Sequence, residues 1–173
     1  MTGWYMLTII GRDQAGIVAR VTAVLYEMGC ELGETSMLRL GGNFSMMVMT
    51  HCDSSQQQIQ QQLEPVIRDL NLHLHIDAID GHLHDHIDPN MQVSVHGADQ
   101  AGIIARVTAI LADNQFNILD LESDVGGTAQ DPVYVMHIVG TCLKEVEQVS
   151  AALAPLHAAG IQIRVRSLDT LIG

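Results

Sequence analysis

At 173 residues, 47% hydrophobic and 16% charged, the chain has room for one domain or two small ones around a conventional core. A formal net charge of −12 argues against direct binding to a phosphate backbone, and no apolar stretch approaches membrane-spanning length. Met1–Ile10 is too short and uncharged for a signal peptide, so the cytoplasm is the expected location. Cys30, Cys52 and Cys142 are odd in number and lack CxxC spacing, so they read as reduced, mostly buried thiols.

Trp4–Ile10 is a β-branched and aromatic run closed by Gly11, a strand by pattern. Ile17, Val18, Val21, Val24, Leu25 and Met28 then recur at helical spacing up to Gly29. Strands are expected over Leu32–Leu40 and Phe44–His51, around a tight turn at Gly41-Gly42-Asn43. Ser54-Ser55 opens a second helix bearing Ile59, Leu63, Val66, Ile67 and Leu70, in which Pro65 should form a kink or mark the boundary. Leu72–Asp77 alternates strictly, as a half-buried strand does.

The second half repeats this order over Met91–His96, Ala101–Asn114, Asn117–Val125, Val133–Gly140, Lys144–Ala159 and Ile161–Leu168, with a longer turn at GGTAQDP. The duplication is also literal. From Asp13 to Leu25 and from Asp99 to Leu111 the chain differs only at Val18/Ile104 and Val24/Ile110. Conserving small and polar residues along with apolar ones exceeds what shared helical patterning requires, so the chain contains an internal repeat. A β-α-β-β-α-β order predicts an α+β, ferredoxin-like domain with a four-stranded antiparallel sheet and both helices on one face. The expected domains are 1–80 and 91–173, joined by the linker 81–90, and their edge strands invite pairing into one extended eight-stranded sheet.

The repeated Asp-Gln-Ala-Gly carries the chemistry. Gly16 and Gly102 stand where a helix starts, and the first backbone N–H groups of a helix have no partners within it. Those donors and the macrodipole favour a small anion, and a glycine lets a ligand approach the backbone. Asp13 or Asp99 sets a carboxylate beside that pocket, so adjacent positive and negative subsites would suit a free amino acid. The competing reading is that each Asp simply caps its helix.

The motif D-x-x-G-I at a strand–helix junction within β-α-β-β-α-β resembles the ACT domain, a small-molecule regulatory module. Two such domains in tandem resemble the glycine cleavage system transcriptional repressor family, to whose amino-terminal domain DQAGIVARVTAVLYEMGCELGETSMLRLGGNFSMMV is similar. The resemblance implies ligand binding between paired domains, by the strand–helix loop of one and the start of the second strand of the other. Carried onto this chain, it selects Asp13, Gln14, Ala15, Gly16 and Ile17 with Glu31 and Leu32, and Asp99, Gln100, Ala101, Gly102 and Ile103 with Asn117 and Ile118. Several amino-acid-binding members have Asn where this chain has Asn117, whereas Glu31 departs from the pattern. Asn both donates and accepts, while a further carboxylate disfavours a ligand carboxylate, so the site containing Asn117 is expected to bind better. The resemblance further implies a non-catalytic repressor acting through an activator protein, without direct nucleic-acid or membrane contact. Homo-oligomerisation stays open.

Other constellations are weaker. His82, His84 and His86, near Asp85 and Asp88, could hold a metal, but a solvated linker explains them as well, and no metal or cofactor is expected. His73 and His75 share one strand face. No nucleophile-elbow motif frames a Ser–His–Asp set. An acylphosphatase would need Arg after strand one, yet Arg12 is replaced by Ala98 in the repeat, and RNA-recognition domains need aromatic residues that are scarce here. Met37, Met46, Met47 and Met49 read as core filling, with a re-packable surface where they face outward. The alternatives to a sensor are a ligand-free interaction or oligomerisation adaptor and a His-cluster metal-binding protein.

Overall fold

A computed structural model describes residues 3–80, 87–98, 102–128 and 131–168. The chain divides into two compact units, Met1–His84 and Asp85–Gly173. In the first, β1 (Gly3–Arg12), α1 (Ile17–Glu27), β2 (Glu31–Leu40), β3 (Asn43–Cys52), α2 (Gln56–Asp69) and β4 (Leu72–Ile79) follow the expected order. The second contains β5 (Met91–Ala98), α3 (Ile103–Asp113), β6 (Asn117–Thr128), β7 (Asp131–Thr141), α4 (Val146–Leu153), a 3-10 segment (Ala154–Ala159) and β8 (Gln162–Ser167). The expected helix to Ala159 therefore changes pitch at Ala154, next to Pro155, which lacks the N–H for an α-helical hydrogen bond.

Each unit has its own antiparallel sheet, ordered β2-β3-β1-β4 and β6-β7-β5-β8. The edges β2 and β6 each carry a register shift, at Leu32/Thr35 and Ile118/Asp120.

Alternation decides which face is covered. Leu7 and Ile9 of β1, Met46 and Val48 of β3, Val21 and Leu25 of α1, and Ile59 and Leu63 of α2 are at most 1% exposed and form one core. Val93, Val95, Met136, Ile138, Val107, Leu111, Val149 and Leu153 build the second in the same way. Burying each such side chain is worth about 1.5–3 kcal/mol. Met46 and Met49 are buried, whereas Met37 and Met47 are about half exposed.

Local devices fix the boundaries. Leu40 pairs with Asn43 across Gly41 and Gly42, both at positive φ, as a two-residue type I′ hairpin requires. A reciprocal capping box joins Ser55 and Gln58. α2 runs through Pro65 to Asp69 rather than ending there: Ile59, Leu63 and Ile67 are buried on both sides of an exposed Pro65, and their packing outweighs the missing hydrogen bond. The longer turn expected at GGTAQDP is instead mostly strand, since β6 and β7 stay in register to Gly126↔Val133, Gly127↔Pro132 and Thr128↔Asp131.

Cys30 and Cys52 form a disulfide, correcting the expectation of reduced thiols. The bulge in β2 is the reason. Beyond it Arg39 pairs with Phe44, a register that would set Cys30 opposite Asp53; the one-residue shift makes Glu31 pair with His51 and leaves Cys30 facing Cys52, with a Cα–Cα distance of 4.6 Å. In the second unit the equivalent cross-strand pair is Phe116 and Cys142, and Cys142 is free and buried.

Candidate functional site

The first strand–helix loop is tied down on three sides. The Asp13 N–H donates to the Gly42 carbonyl at 3.0 Å, and its carboxylate lies 2.5 Å from a guanidinium nitrogen of Arg39. The Gln14 amide donates to the Leu70 carbonyl at 2.7 Å, fixing the loop to the end of α2. Asp13 does not cap α1. Its cap is Gly16, at φ 93°, with no side-chain hydrogen bond and no acidic residue in the first turn. The capping explanation for the repeated Asp therefore fails at Asp13, whose carboxylate serves the β2–β3 hairpin. Ile17 is 2% exposed and anchors the helix in the core, so only its backbone could meet a ligand.

A Cβ added at Gly16 would meet nothing within 4 Å among the described residues, so the backbone at Gly16 is open to approach. Gly102 has φ 84° and, among the described residues, no side-chain cap and nothing within 4 Å of its Cβ position; Ile103 beside it is buried. Asp99, Gln100 and Ala101 lie outside the described residues, as do His82, His84 and His86. Among the described residues no three His, Cys, Asp or Glu side chains are placed to hold a metal ion.

The strand starts differ between the copies. Glu31 is exposed, its carboxylate 3.8 Å from His51 Nδ1, and its carbonyl accepts from the buried Thr50 hydroxyl at 3.0 Å. Asn117 is exposed, and its side chain has no hydrogen-bond partner among the described residues. Where the first unit has Thr50, the second has Gly140, at which a Cβ would collide with the Asn117 carbonyl and the Phe116 ring. Leu32 is 44% exposed, whereas Ile118 packs against its core.

Within one unit, loop and strand start cannot share a ligand. Gly11 pairs with Phe44 while Glu31 pairs with His51, so the two lie at opposite ends of β3, about 23 Å apart at ~3.3 Å per residue.

Family models described as ACT domain match residues 5–77 and 91–160. The chain belongs to the ACT-domain family. Relatives the size of one ACT domain include a UPF0237 protein of Listeria monocytogenes, 36% identical over 76 residues, covering 41% of this chain and 83% of the relative. The UPF0237 protein YjhC of Lactococcus lactis is 31% identical over 84 residues, or 46% of this chain and 94% of the relative. Two solved structures share the tandem ACT fold along nearly the whole chain. One, a protein of unknown function from Galdieria sulphuraria, has a TM-score of 0.78 at 23% identity, covering 97% of this chain and 99% of that one. The other, a candidate glycine cleavage system transcriptional repressor, has a TM-score of 0.69 at 17% identity, covering 97% and 98%. No helix among the described residues is long and apolar enough to cross a membrane.

The sequence did not mark Arg39 as the partner of Asp13. The turn at Gly41-Gly42 was the available signal, because a two-residue hairpin folds the end of β2 back toward the end of β1.

Proposed function

We propose that this tandem ACT protein is a non-catalytic cytoplasmic sensor of a free amino acid that represses transcription by contacting an activator protein. The observation that carries the reading is the helix N-terminus at Gly16, uncapped and open, with the Asp13 carboxylate in the same loop. Free N–H donors suit an α-carboxylate, and Asp13 suits an α-ammonium. Because loop and strand start stand at opposite ends of one domain, a ligand touching both requires two ACT domains. The pairs are the 13–17 loop or the 99–103 loop with Glu31-Leu32 or Asn117-Ile118 of another domain. Asn117 supplies both donor and acceptor without net charge, which favours the pair containing it. The activator contact follows from the resemblance to the repressor family and from the fold shared with the candidate repressor. Ligand acts on that contact only through different affinities for two states of the protein.

A thermal-shift screen against the free amino acids tests the sensor reading, since a ligand of the native form raises Tm. A reproducible rise that is lost in Asp13→Ala and Asn117→Ala supports it. Specific capture of an activator with no Tm rise for any amino acid would favour the ligand-free adaptor, a reading encouraged by the wholly exposed β2.

A further inference from the structure

The two sheets differ on the face turned away from their helices. In the first, the outward positions of β1 are Met6, Thr8 and Ile10, and β4 contributes His73, His75 and Asp77, with His75 Nε2 3.1 Å from Asp77. In the second, β5 contributes Gln92, Ser94 and His96, and the paired positions of β8 are Arg166, Arg164 and Gln162. His137 of β7 lies opposite Ser94. Together with Ile163 these residues line a groove of about 640 Å³.

Two of the chain's eight Lys and Arg residues thus meet on one small face of a protein with net charge −12. Arg166 is oriented by Gln92: its Nε donates to Gln92 Oε1 at 2.7 Å, and its Nη2 donates to the same oxygen. Arg164 is exposed, with no hydrogen-bond or ion-pair partner among the described residues. His137 Nδ1 lies 3.2 Å from Ser94 Oγ, and the His96 and His137 rings meet edge to face at 6.0 Å. Acidic residues share the face at its other edge. Asp120, Glu122 and Asp124 project from β6, with Glu122 opposite His137. β6 is three strand spacings from β8, about 14 Å, so the arginines are not neutralised there.

Alternate residues of a strand project about 6.6 Å apart, which sets Arg164 and Arg166 as two cationic forks on one side of the groove. We propose that this sheet face of the second ACT domain is a binding site for a small anion with two oxyanion groups, held by Arg164 and Arg166. Ser94, His96 and Gln162 supply further polar contacts along the floor. The site is independent of the Asp-Gln-Ala-Gly loops. Phosphate and carboxylate groups share the required chemistry, because a guanidinium fork matches either bidentately.

The test is a titration of the full chain, ¹⁵N-labelled, with pyrophosphate in one arm and succinate in the other, following backbone amides and arginine Nε–H signals by NMR. Saturable shifts centred on Ser94, His137, Arg164 and Arg166 are expected in at least one arm. Arg164→Gln is expected to weaken that binding at least about tenfold, the scale of a lost charge-assisted hydrogen bond. Arg166→Gln should act likewise, and Arg68→Gln, whose partner is Glu64 on α2, should leave it unchanged. Since Arg164 is exposed, a preserved amide spectrum in Arg164→Gln separates loss of the site from loss of the fold. Absence of saturable shifts in both arms, or undiminished binding in Arg164→Gln, would overturn the proposal.

Discussion

The Asp13 carboxylate is 2.5 Å from the Arg39 guanidinium, joining the strand–helix loop to the hairpin that ends β2. The side chains are 23% and 69% exposed, so the Arg39 end is solvated and the pair contributes about 1 kcal/mol. Its consequence is positional: the carboxylate is engaged by the hairpin and does not cap α1. Arg39→Ala is expected to change stability by less than about 1 kcal/mol in urea denaturation. Asp13→Ala should abolish the amino-acid-dependent rise in Tm while leaving the stability of the free protein similarly unchanged. A loss of several kcal/mol in either variant would show that the pair is primarily structural.

Two glycines, one in each unit, should respond differently to Ala. Gly16→Ala adds a methyl into open space but must keep a left-handed backbone, at a cost of about 1–2 kcal/mol. Gly140→Ala drives a Cβ into the Asn117 carbonyl and the Phe116 ring, and backbone there yields less readily than a side chain, so about 3 kcal/mol is expected. Urea titrations of both variants check this, and an unperturbed Gly140→Ala protein would contradict the close approach of β6 to β7.

The Cys30–Cys52 disulfide closes a sequence separation of 22 residues, for which chain entropy gives about 3 kcal/mol. Denatured without reductant, the protein should alkylate at Cys142 alone; after reduction, all three cysteines should react. Reduction should lower the Tm of the first domain by more than about 10 °C. Three alkylated cysteines without reductant would refute the bond.

Ser55→Ala removes the reciprocal cap of α2 and is expected to cost about 1 kcal/mol by thermal or urea denaturation. The start of α1 offers no equivalent side-chain cap to remove, so the cost should be specific to α2.

Strand and helix order could be read from the sequence because alternation and helical spacing follow from which side chains are buried, as Leu7, Ile9, Val21 and Leu25 illustrate. The duplicated loop likewise pointed to two equivalent domains. What escaped depends on register. A bulge between Leu32 and Thr35 leaves no mark in composition, yet it decides that Cys30 faces Cys52. The role of Asp13 escaped for a related reason, since Asp before a helix ordinarily caps it, and only the hairpin's return brings Arg39 within reach. Pro65 was overridden by buried neighbours on both sides of it. The arginine groove was hidden because Arg164 and Arg166 lie some 70 residues from Gln92 and Ser94, and only the β5–β8 ladder joins them.

The central claim is that this tandem ACT protein binds a free amino acid through an uncapped loop of one domain and the strand start of another. Calorimetry with the best amino acid from the thermal-shift screen, on the unsubstituted protein, Asn117→Ala and Glu31→Ala, tests it most directly. Asn117→Ala is expected to weaken binding at least about tenfold while Glu31→Ala has little effect or tightens it. Equal losses in both variants, or no heat of binding for any amino acid, would contradict the account.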